Sequence, residues 1–273
     1  MRSIHLACAS ALTLSLAACS APDSPVRQAG TDEAGFSPAD ATTIAAQAEA
    51  GRQIDTDRQR LDLELAERGL IAREDGLTIT GPDGALIWQP GRYAFLDEAV
   101  PPTAHPDLWH QAALANLHGL YEVTPGVYQV RGYDLSNMSI IAGETGWIII
   151  DPLTSVETAQ AALALVEREL GPRPVSAVIL THSHIDHFGG VEAIEGALGD
   201  GPVPVIAPAG FLEEAVSENV MAGVVMARRA GYMYGTHLPR TARGHVGSGL
   251  GKHPALGRHT IAEPDIIVDH TGQ

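Results

Sequence analysis

Cysteine is nearly missing from this sequence, which has Cys8 and Cys19 in its first twenty residues and no others among its 273. The rest of the chain therefore forms no internal disulfide and offers no thiolate for catalysis or for a cysteine-type zinc site. Positive charge is also scarce, because 17 Lys and Arg stand against 33 Asp and Glu, a formal net charge of −16. A nucleic-acid-binding protein needs a Lys- and Arg-rich surface, so this balance argues against nucleic acid as a partner.

The apolar runs are all too short for a membrane helix, and the first of them, residues 6–16, has the length of a signal-peptide core. It follows Arg2 and ends in Leu16-Ala17-Ala18-Cys19, which resembles the lipobox of bacterial lipoproteins. We predict a signal peptide at residues 1–18 and lipidation of Cys19, which places the protein in the bacterial cell envelope, as a periplasmic or outer-membrane lipoprotein. The alternative is an ordinary secretory signal, cut at a small residue, and a secreted protein.

Composition divides the remaining chain into three segments. Residues 19–37 are rich in Ala, Pro, Ser, Gly and Asp and are predicted to be a flexible tether. Residues 38–118 predict an extension made of helices and a hairpin, and residues 119–273 predict an α/β domain. In the extension we expect two helices broken near Gly51. A β-hairpin over residues 77–88 and a short helix over residues 108–117 follow.

In the α/β segment, apolar strands alternate with a helical pattern. The predicted strands are residues 119–130 around a Pro125-Gly126 turn, then 138–142, 147–150, 175–180 and 202–208. Thr154 and Glu157 have the spacing of a capping box, and the helix that they begin is predicted to end at Leu170, before Gly171. Strand–helix–strand order indicates layered α/β architecture, in which ligands bind beyond the carboxyl ends of strands.

Residues 181–190 read Thr-His-Ser-His-Ile-Asp-His-Phe-Gly-Gly and follow the apolar strand at 175–180 directly. Imidazole nitrogens and a carboxylate oxygen suit zinc, and the carboxylate also tolerates manganese or iron. We predict that His182, His184, Asp186 and His187 are metal ligands. A His-rich surface loop is the alternative, but four ligand-type residues directly after a buried strand make it the weaker one.

The motif resembles the H-x-H-x-D-H sequence of the metallo-β-lactamase superfamily at every position. Further strings along residues 40–270 resemble the alkyl sulfatase branch of that superfamily. They are Arg68-Gly69-Leu70-Ile71-Ala72, Asn116-Leu117-His118-Gly119-Leu120, Asp134-Leu135-Ser136-Asn137-Met138, Ile150-Asp151-Pro152-Leu153, Ser155-Val156-Glu157-Thr158-Ala159, Gly210-Phe211-Leu212, Ser217-Glu218-Asn219, Arg228-Arg229-Ala230, Tyr232-Met233-Tyr234-Gly235 and Gly247-Ser248-Gly249-Leu250-Gly251.

This resemblance implies an αββα sandwich and zinc-dependent hydrolysis of linear primary alkyl sulfates to alcohol and sulfate. His182 and His184 would hold one Zn²⁺, and Asp186, which would also act in catalysis, would hold the second with His187. The family's remaining ligands come from later in the chain, beyond residue 273. Residues 119–273 are accordingly expected to be an incomplete domain, the N-terminal half or slightly more of the sandwich, inactive alone. The full-length parent is expected to be capable of forming a homodimer.

Other residues leave alternatives open. Asp151 is either a partner that orients a ligand histidine or a strand terminator. Asn219 either lines the substrate cleft or has a capping or surface role, and Arg229 pairs either with the sulfate of a substrate or with neighbouring acidic residues. Tyr232 is a weaker candidate for substrate binding, since residues of its kind are more often in the core. Four further histidines lie among Gly, Pro and Arg and are expected to be solvated loop residues: His237, His245, His253 and His259.

Two other functions remain open. Another hydrolase of the same superfamily, of the β-lactamase or thioesterase type, would explain residues 181–190 but not the other strings. The second is a non-catalytic lipoprotein that binds metal or another ligand, which is consistent with the expected incomplete domain. In the alkyl sulfatase interpretation the only small-molecule partner is an alkyl sulfate, and the membrane is contacted through the lipid anchor alone.

Overall fold

The computed structural model describes residues 30–32, 35–199 and 201–271. The contacts divide the chain into Met1–Ser37 and Pro38–Gln273, and every helix and strand below belongs to the second unit. The predicted signal peptide and Cys19 lie outside the described residues. Among the helices described, none is both long enough and apolar enough to cross a membrane.

Two helices without fully buried residues begin the fold, α1 at Ala41–Arg52 and α2 at Thr56–Glu67. The side chains of Asp40 and Asp55 each accept a hydrogen bond from the backbone amide three residues further on, which stabilises the exposed helix N-termini. The two predicted helices are confirmed, and the break between them falls just past Gly51.

The predicted hairpin is confirmed as two short antiparallel strands, β2 at Ile79–Thr80 and β3 at Leu86–Trp88. A kinked 3₁₀ segment at Pro90–Asp97 and helix α3 at Pro106–Leu114 follow. Trp88 is buried and donates a hydrogen bond from its indole N–H to the carbonyl of Gly132 at 2.8 Å, which joins the hairpin to the sheet region.

An eight-stranded mixed sheet forms the centre of the molecule. Its strands are β1 Leu70–Ala72, β4 Gly119–Thr124, β5 Val127–Arg131, β6 Met138–Ala142, β7 Trp147–Ile150, β8 Val175–Ile179, β9 Val205–Pro208 and β10 Ile266–Val268. Their order in the sheet is β1-β4-β5-β6-β7-β8-β9-β10. Neighbours pair antiparallel from β1 to β7 and parallel from β7 to β10.

Helices connect the parallel strands. They are α4 Val156–Leu170, α5 Ile185–Phe188, α6 Phe211–Val216 and α7 Gly223–Met233, with a 3₁₀ turn at Val191–Ala193 and a π-helical turn at Ser217–Met221. The fully buried side chains of one face of α4, such as Leu165, pack on the sheet beside Ile149 and Val178. The predicted α/β layered fold of the superfamily is therefore confirmed.

The capping box of α4 lies one residue later than Thr154 and Glu157, the pair that the sequence predicted. Ser155 is the N-cap, and its hydroxyl and that of Thr158 each accept a bond from the other's backbone N–H. The prediction was wrong because the Thr154 hydroxyl is used elsewhere. It donates to the buried carboxylate of Asp134 at 2.7 Å.

Candidate metal centre

The His-rich motif begins two residues after the end of β8, at the carboxyl end of the parallel part of the sheet. His182 and His184 lie in the connection, and His184 occupies the N-cap position of α5. Asp186 and His187 follow within the short helix. The strand thus brings all four predicted ligands to the edge of the sheet where α/β proteins bind ligands.

The three imidazoles of the motif are close neighbours. The ring centroid of His182 lies 4.7 Å from that of His184 and 4.2 Å from that of His187. Burial lowers the pKa of His182, and the adjacent imidazoles of His187 and His184 lower it further. A neutral imidazole is the form that can coordinate a metal ion.

Asp151 orients the motif from the end of β7. It is 7% exposed, and its Oδ2 accepts hydrogen bonds from the Thr181 hydroxyl at 2.7 Å and from Nδ1 of His187 at 2.8 Å. Its Oδ1 accepts from the Thr181 amide at 2.9 Å. Of the two roles open from the sequence, the geometry favours the orienting partner. With Nδ1 bound to a carboxylate, Nε2 of His187 is the nitrogen left for a metal.

Asp186 and His187 face each other, with Asp186 Oδ2 3.3 Å from Nε2 of His187. Burial favours the neutral forms of both side chains, but their mutual attraction outweighs burial and lowers the pKa of Asp186. For His187, burial is opposed by Asp151 and Asp186, which together raise its pKa to about 9. The two carboxylates therefore stabilise a positive charge at His187, and they would stabilise a metal cation at the same place for the same reason.

Two glycines let the loop after β7 approach the motif closely. A Cβ atom on Gly189 would lie 2.0 Å from the carbonyl oxygen of Thr154, and one on Gly190 would lie 2.2 Å from that of Pro152. Leu153 in this loop has a φ of 64° and its carbonyl accepts from the Gly190 amide at 3.1 Å. No other residue fits at these two positions without moving the backbone.

A buried carboxylate, Asp134, fixes the loops around the motif. It is 4% exposed and accepts hydrogen bonds from both the amide and the hydroxyl of Thr154, from the hydroxyl of Thr158, and from the amides of Leu135 and Ala255. Burial raises its pKa, and these bonds oppose the rise. One side chain thereby connects three segments that surround the candidate site.

The segment at residues 257–260 is hydrogen-bonded to the motif segment, to the loop after β7 and to the start of α4. The amide of Thr260 donates to the carbonyl of Gly189 at 2.8 Å, and the carbonyl of Arg258 accepts from the Val156 amide at 2.9 Å. His259 is held by a 2.8 Å hydrogen bond between its Nδ1 and the Thr154 carbonyl. Because Nδ1 is used in this way, its Nε2 is the free nitrogen.

A cavity of 830 Å³ opens beside the motif. His184, Asp186, Asn219 and Arg229 line it, so the structure brings two motif residues and two of the three predicted substrate-binding residues together. Its remaining lining includes apolar side chains of α7 and further polar residues, namely Met226, Ala227, Ala230, Met233, Glu218, Tyr234, His237 and His259.

Tyr232 does not line the cavity, and the expectation that it is a core residue is wrong, because it is 89% exposed. Its neighbour Tyr234 faces the cavity instead, and burial raises the pKa of that phenol. The sequence could not separate the two, since Tyr232 lies in the last turn of α7 and Tyr234 is its C-cap, only two residues apart.

Two of the four later histidines differ from their predicted role as solvated loop residues. His237 and His259 are exposed, as predicted, and line the cavity, while His245 and His253 are only 4% and 9% exposed. Hydrophobic segments from the N-terminal extension cover His245 and His253. This burial results from long-range packing, which the local composition of the sequence does not show.

The donor chemistry of the motif fits a divalent transition metal, since it offers imidazole nitrogens, a carboxylate, and a second carboxylate that orients one imidazole. In residues 30–32, 35–199 and 201–271, however, no three His, Cys, Asp or Glu side chains already converge on one metal position. The paired Asp186 and His187 satisfy each other, and an ion would have to separate them.

Comparisons with known proteins agree with the resemblance that the motif suggested. The Metallo-beta-lactamase superfamily matches residues 131–266. A linear primary-alkylsulfatase of Pseudomonas sp. is 49% identical over 78% of this chain and 32% of the relative. An (R)-specific secondary-alkylsulfatase of Pseudomonas sp. is 46% identical over 85% of this chain and 35% of the relative. The alkyl/aryl-sulfatase BDS1 of Saccharomyces cerevisiae is 44% identical, over 84% and 36% respectively.

Among solved structures, the stereoselective inverting sec-alkylsulfatase Pisa1 from Pseudomonas sp. superposes with a TM-score of 0.82 and 44% identity. The match covers 88% of this chain and 38% of that structure. The chain therefore spans about a third of the length of the relatives it matches.

Proposed function

This chain belongs to the alkylsulfatase branch of the metallo-β-lactamase superfamily, and from that membership we propose that it supplies a metal-binding motif and a substrate cavity for hydrolysis of alkyl sulfate esters. The observation that carries the proposal is the position of His184 and Asp186 on the wall of the 830 Å³ cavity. Potential metal ligands and space for a substrate thus meet at the carboxyl end of β8.

The residues that would hold the metal are His182, His184, Asp186 and His187, and we propose zinc as the ion. A divalent ion supplies Lewis-acid chemistry, because it stabilises negative charge that develops on oxygen. Asp151 holds the His187 ring so that Nε2 faces Asp186. Asp186 lines the cavity and would also orient the water that attacks the ester.

The cavity has the two chemical characters that an alkyl sulfate needs. Arg229 offers a guanidinium for the sulfate group. Asn219 donates one amide N–H to the Ala215 carbonyl at 2.9 Å, which leaves its second N–H as a donor for a sulfate oxygen. Met226, Ala227 and Met233 form an apolar wall for an alkyl chain. The chain is acidic overall, so a local cation rather than the general field must attract the sulfate.

We propose linear primary alkyl sulfates as the preferred substrates. Secondary alkyl sulfates are the second candidate, because relatives named for both classes match at 49% and 46% identity. Rates on dodecyl sulfate and on 2-octyl sulfate distinguish them. A β-lactamase or thioesterase activity would appear as turnover of nitrocefin or a thioester.

The test of the site uses two readouts. Zinc binding is measured by competition with a chelating dye on the 273-residue chain, and sulfate release from dodecyl sulfate is measured on the product of the complete reading frame. His184→Ala should lose bound zinc and nearly all hydrolysis, because a metal centre that loses one ligand loses both affinity and geometry. His270→Ala, which changes an exposed histidine outside the motif, is the matched control. Wild-type zinc content and turnover in His184→Ala would refute the assignment.

We also propose that the protein is a lipoprotein of the bacterial cell envelope. The support is the sequence Leu16-Ala17-Ala18-Cys19 after an apolar segment too short to span a bilayer. Cys19→Ser should release the protein from membranes or block its processing, as measured by fractionation, whereas Cys8→Ser should leave attachment intact. Membrane attachment that survives Cys19→Ser contradicts this localisation.

A further inference from the structure

A second, smaller pocket lies between the hairpin β2–β3 and the loop at residues 240–256, and the motif does not contribute to it. Three cationic side chains line it, from Arg92, Arg240 and Lys252, together with His253. The lining contains no Asp or Glu. In a chain of formal net charge −16, a pocket whose charged lining residues are all cations is unexpected.

Lys252 is the most unusual of these groups because it is 5% exposed. Its Nζ donates one hydrogen bond, to the carbonyl of Ala115 at 2.6 Å, and lies 5.7 Å and 5.6 Å from the ring centroids of Trp88 and Tyr93. An ammonium has three N–H donors, so this geometry leaves donors without an acceptor. Burial of the amine without a carboxylate lowers its pKa to about 7.

Arg240 is also incompletely satisfied. Its guanidinium Nη1 donates to the carbonyls of Thr236 and Leu238, but its Nε is buried and has no hydrogen-bond partner. Among the described residues, neither Arg92, Arg240 nor Lys252 has a carboxylate within ion-pairing distance. Of the three, only Lys252 is buried, and a buried ammonium group is normally paired with a carboxylate.

The positive potential of the pocket extends to its neighbours. Burial lowers the pKa of His253 to about 4, and Arg240, His245 and Arg92 add to the effect of burial. Burial raises the pKa of Tyr93, and the charges of Arg240 and Arg92 oppose that rise. Both effects indicate that a negative charge placed here would be stabilised.

The size of the pocket restricts the ligand. Its volume of 60 Å³ is roughly four to six times the 10–15 Å³ that one water molecule needs. It therefore has room for a group of about five heavy atoms, the size of a tetrahedral oxyanion, and is too small to enclose an alkyl sulfate or a nucleotide. Guanidinium and ammonium groups are the side chains that bind such oxyanions by charge-assisted hydrogen bonds.

We propose that the pocket formed by Arg92, Arg240 and Lys252 binds a tetrahedral inorganic oxyanion, sulfate or phosphate. This site is separate from the cavity beside the motif, although Leu256 lines both. The inference does not depend on hydrolysis of any ester, because it rests on the pocket's own cations.

The test is calorimetric titration of the metal-free 273-residue protein with sodium sulfate and, separately, sodium phosphate, against sodium chloride at equal ionic strength. We expect at least one of the two oxyanions to bind. The one with the higher affinity, sulfate or phosphate, is the ligand that the pocket prefers. Arg92→Gln and Lys252→Met should each weaken it roughly ten- to hundredfold, the effect of one hydrogen bond to a charged group. Circular dichroism checks that each variant is folded. Arg92 is exposed, so Arg92→Gln keeps the test valid even if Lys252→Met does not fold.

Arg60→Gln is the matched control, because it removes the same charge from an exposed residue paired with Glu64. Its oxyanion affinity should equal that of the wild type. Arg229→Gln separates the two cavities. If sulfate and phosphate bind no better than chloride, or if Arg229→Gln abolishes binding while Arg92→Gln preserves it, the proposed site is wrong.

Discussion

Replacement of Asp151 by asparagine is the most informative perturbation of the motif. Asp151 has a φ of 55°, a left-handed conformation that asparagine adopts more readily than most residues. Asp151→Asn therefore keeps both shape and backbone and changes only charge and hydrogen bonding. An alanine at this position would add backbone strain and obscure the result.

The magnitude follows from the three hydrogen bonds that the carboxylate accepts. The asparagine oxygen can still accept from the amide of Thr181, now 2.9 Å away, and the Thr181 hydroxyl can rotate. The bond to Nδ1 of His187, 2.8 Å long, cannot persist unchanged, because the asparagine nitrogen is a donor. The asparagine nitrogen would instead donate to Nδ1 of His187 and so favour the tautomer with its proton on Nε2. Nε2 would then lack the lone pair that binds metal.

We expect the Asp151→Asn variant to bind zinc roughly ten- to hundredfold more weakly, the usual cost of losing a partner that orients a ligand histidine. Its unfolding free energy without metal should fall by about 1.5–3 kcal/mol, the value of one hydrogen bond to a charged group. Zinc affinity is measured by dye competition and stability by urea unfolding. Asp83→Asn, in the exposed turn of the hairpin, controls for the lost charge. Unchanged zinc affinity in Asp151→Asn, or an equal loss in Asp83→Asn, would refute this reasoning.

Three further predictions concern stability, and urea unfolding tests each. Gly190→Ala should lower the free energy of unfolding by roughly 1–3 kcal/mol, because the new Cβ would lie 2.2 Å from the Pro152 carbonyl oxygen. Gly51→Ala, in an open helix position, should raise it by about 0.5–1 kcal/mol. Asp134→Asn should cost roughly 3 kcal/mol, since an amide cannot accept all five hydrogen bonds of the buried carboxylate, and a loss under 1 kcal/mol would contradict its proposed role. Lys252 has a folded pKa of about 7 against an unfolded value of 10.5, so the unfolded chain binds more protons between these values and stability should rise with pH there. Measured without sulfate or phosphate, the wild type should gain roughly 4 kcal/mol from pH 7 to pH 10 relative to Lys252→Met, and parallel pH profiles would exclude the shift.

The sheet could be predicted from the sequence where strands have strong local patterns. The runs at 147–150 and 175–180 are apolar at every position, and they became β7 and β8 with buried Ile149 and Val178. β10, at Ile266–Val268, was not predicted, because its three residues follow a long irregular loop and their pairing with β9 is decided by long-range contacts. The helices between residues 211 and 233 were also not assigned, although the sequence there contains helix-forming residues.

The candidate ligands were predictable for a different reason, namely that they are adjacent in sequence. Four ligand-type residues within six positions after a strand carry a local signal, and the structure places them at the expected edge of the sheet. The supporting residues carry no such signal. Asp134 reaches Thr154 and Ala255 across 20 and 121 positions, so only the folded chain shows that one carboxylate joins them.

His259 illustrates how position, and not residue type, determines a role. From the sequence it is one of several histidines among Gly and Arg, with no reason to differ from His253. In the structure, its Nδ1 is bound to the Thr154 carbonyl, and the Thr260 amide next to it is bound to Gly189 of the motif segment. His253, six residues earlier, packs instead against Trp88 in the cationic pocket, with ring centroids 5.5 Å apart. Ala255 lies between these two histidines in the chain, and its amide donates a hydrogen bond to Asp134. This bond fixes the point where the loop passes from the cationic pocket to the cavity beside the motif. A substitution at Asp134 should therefore disturb both zinc binding and oxyanion binding, although the residue lines neither of the two proposed sites.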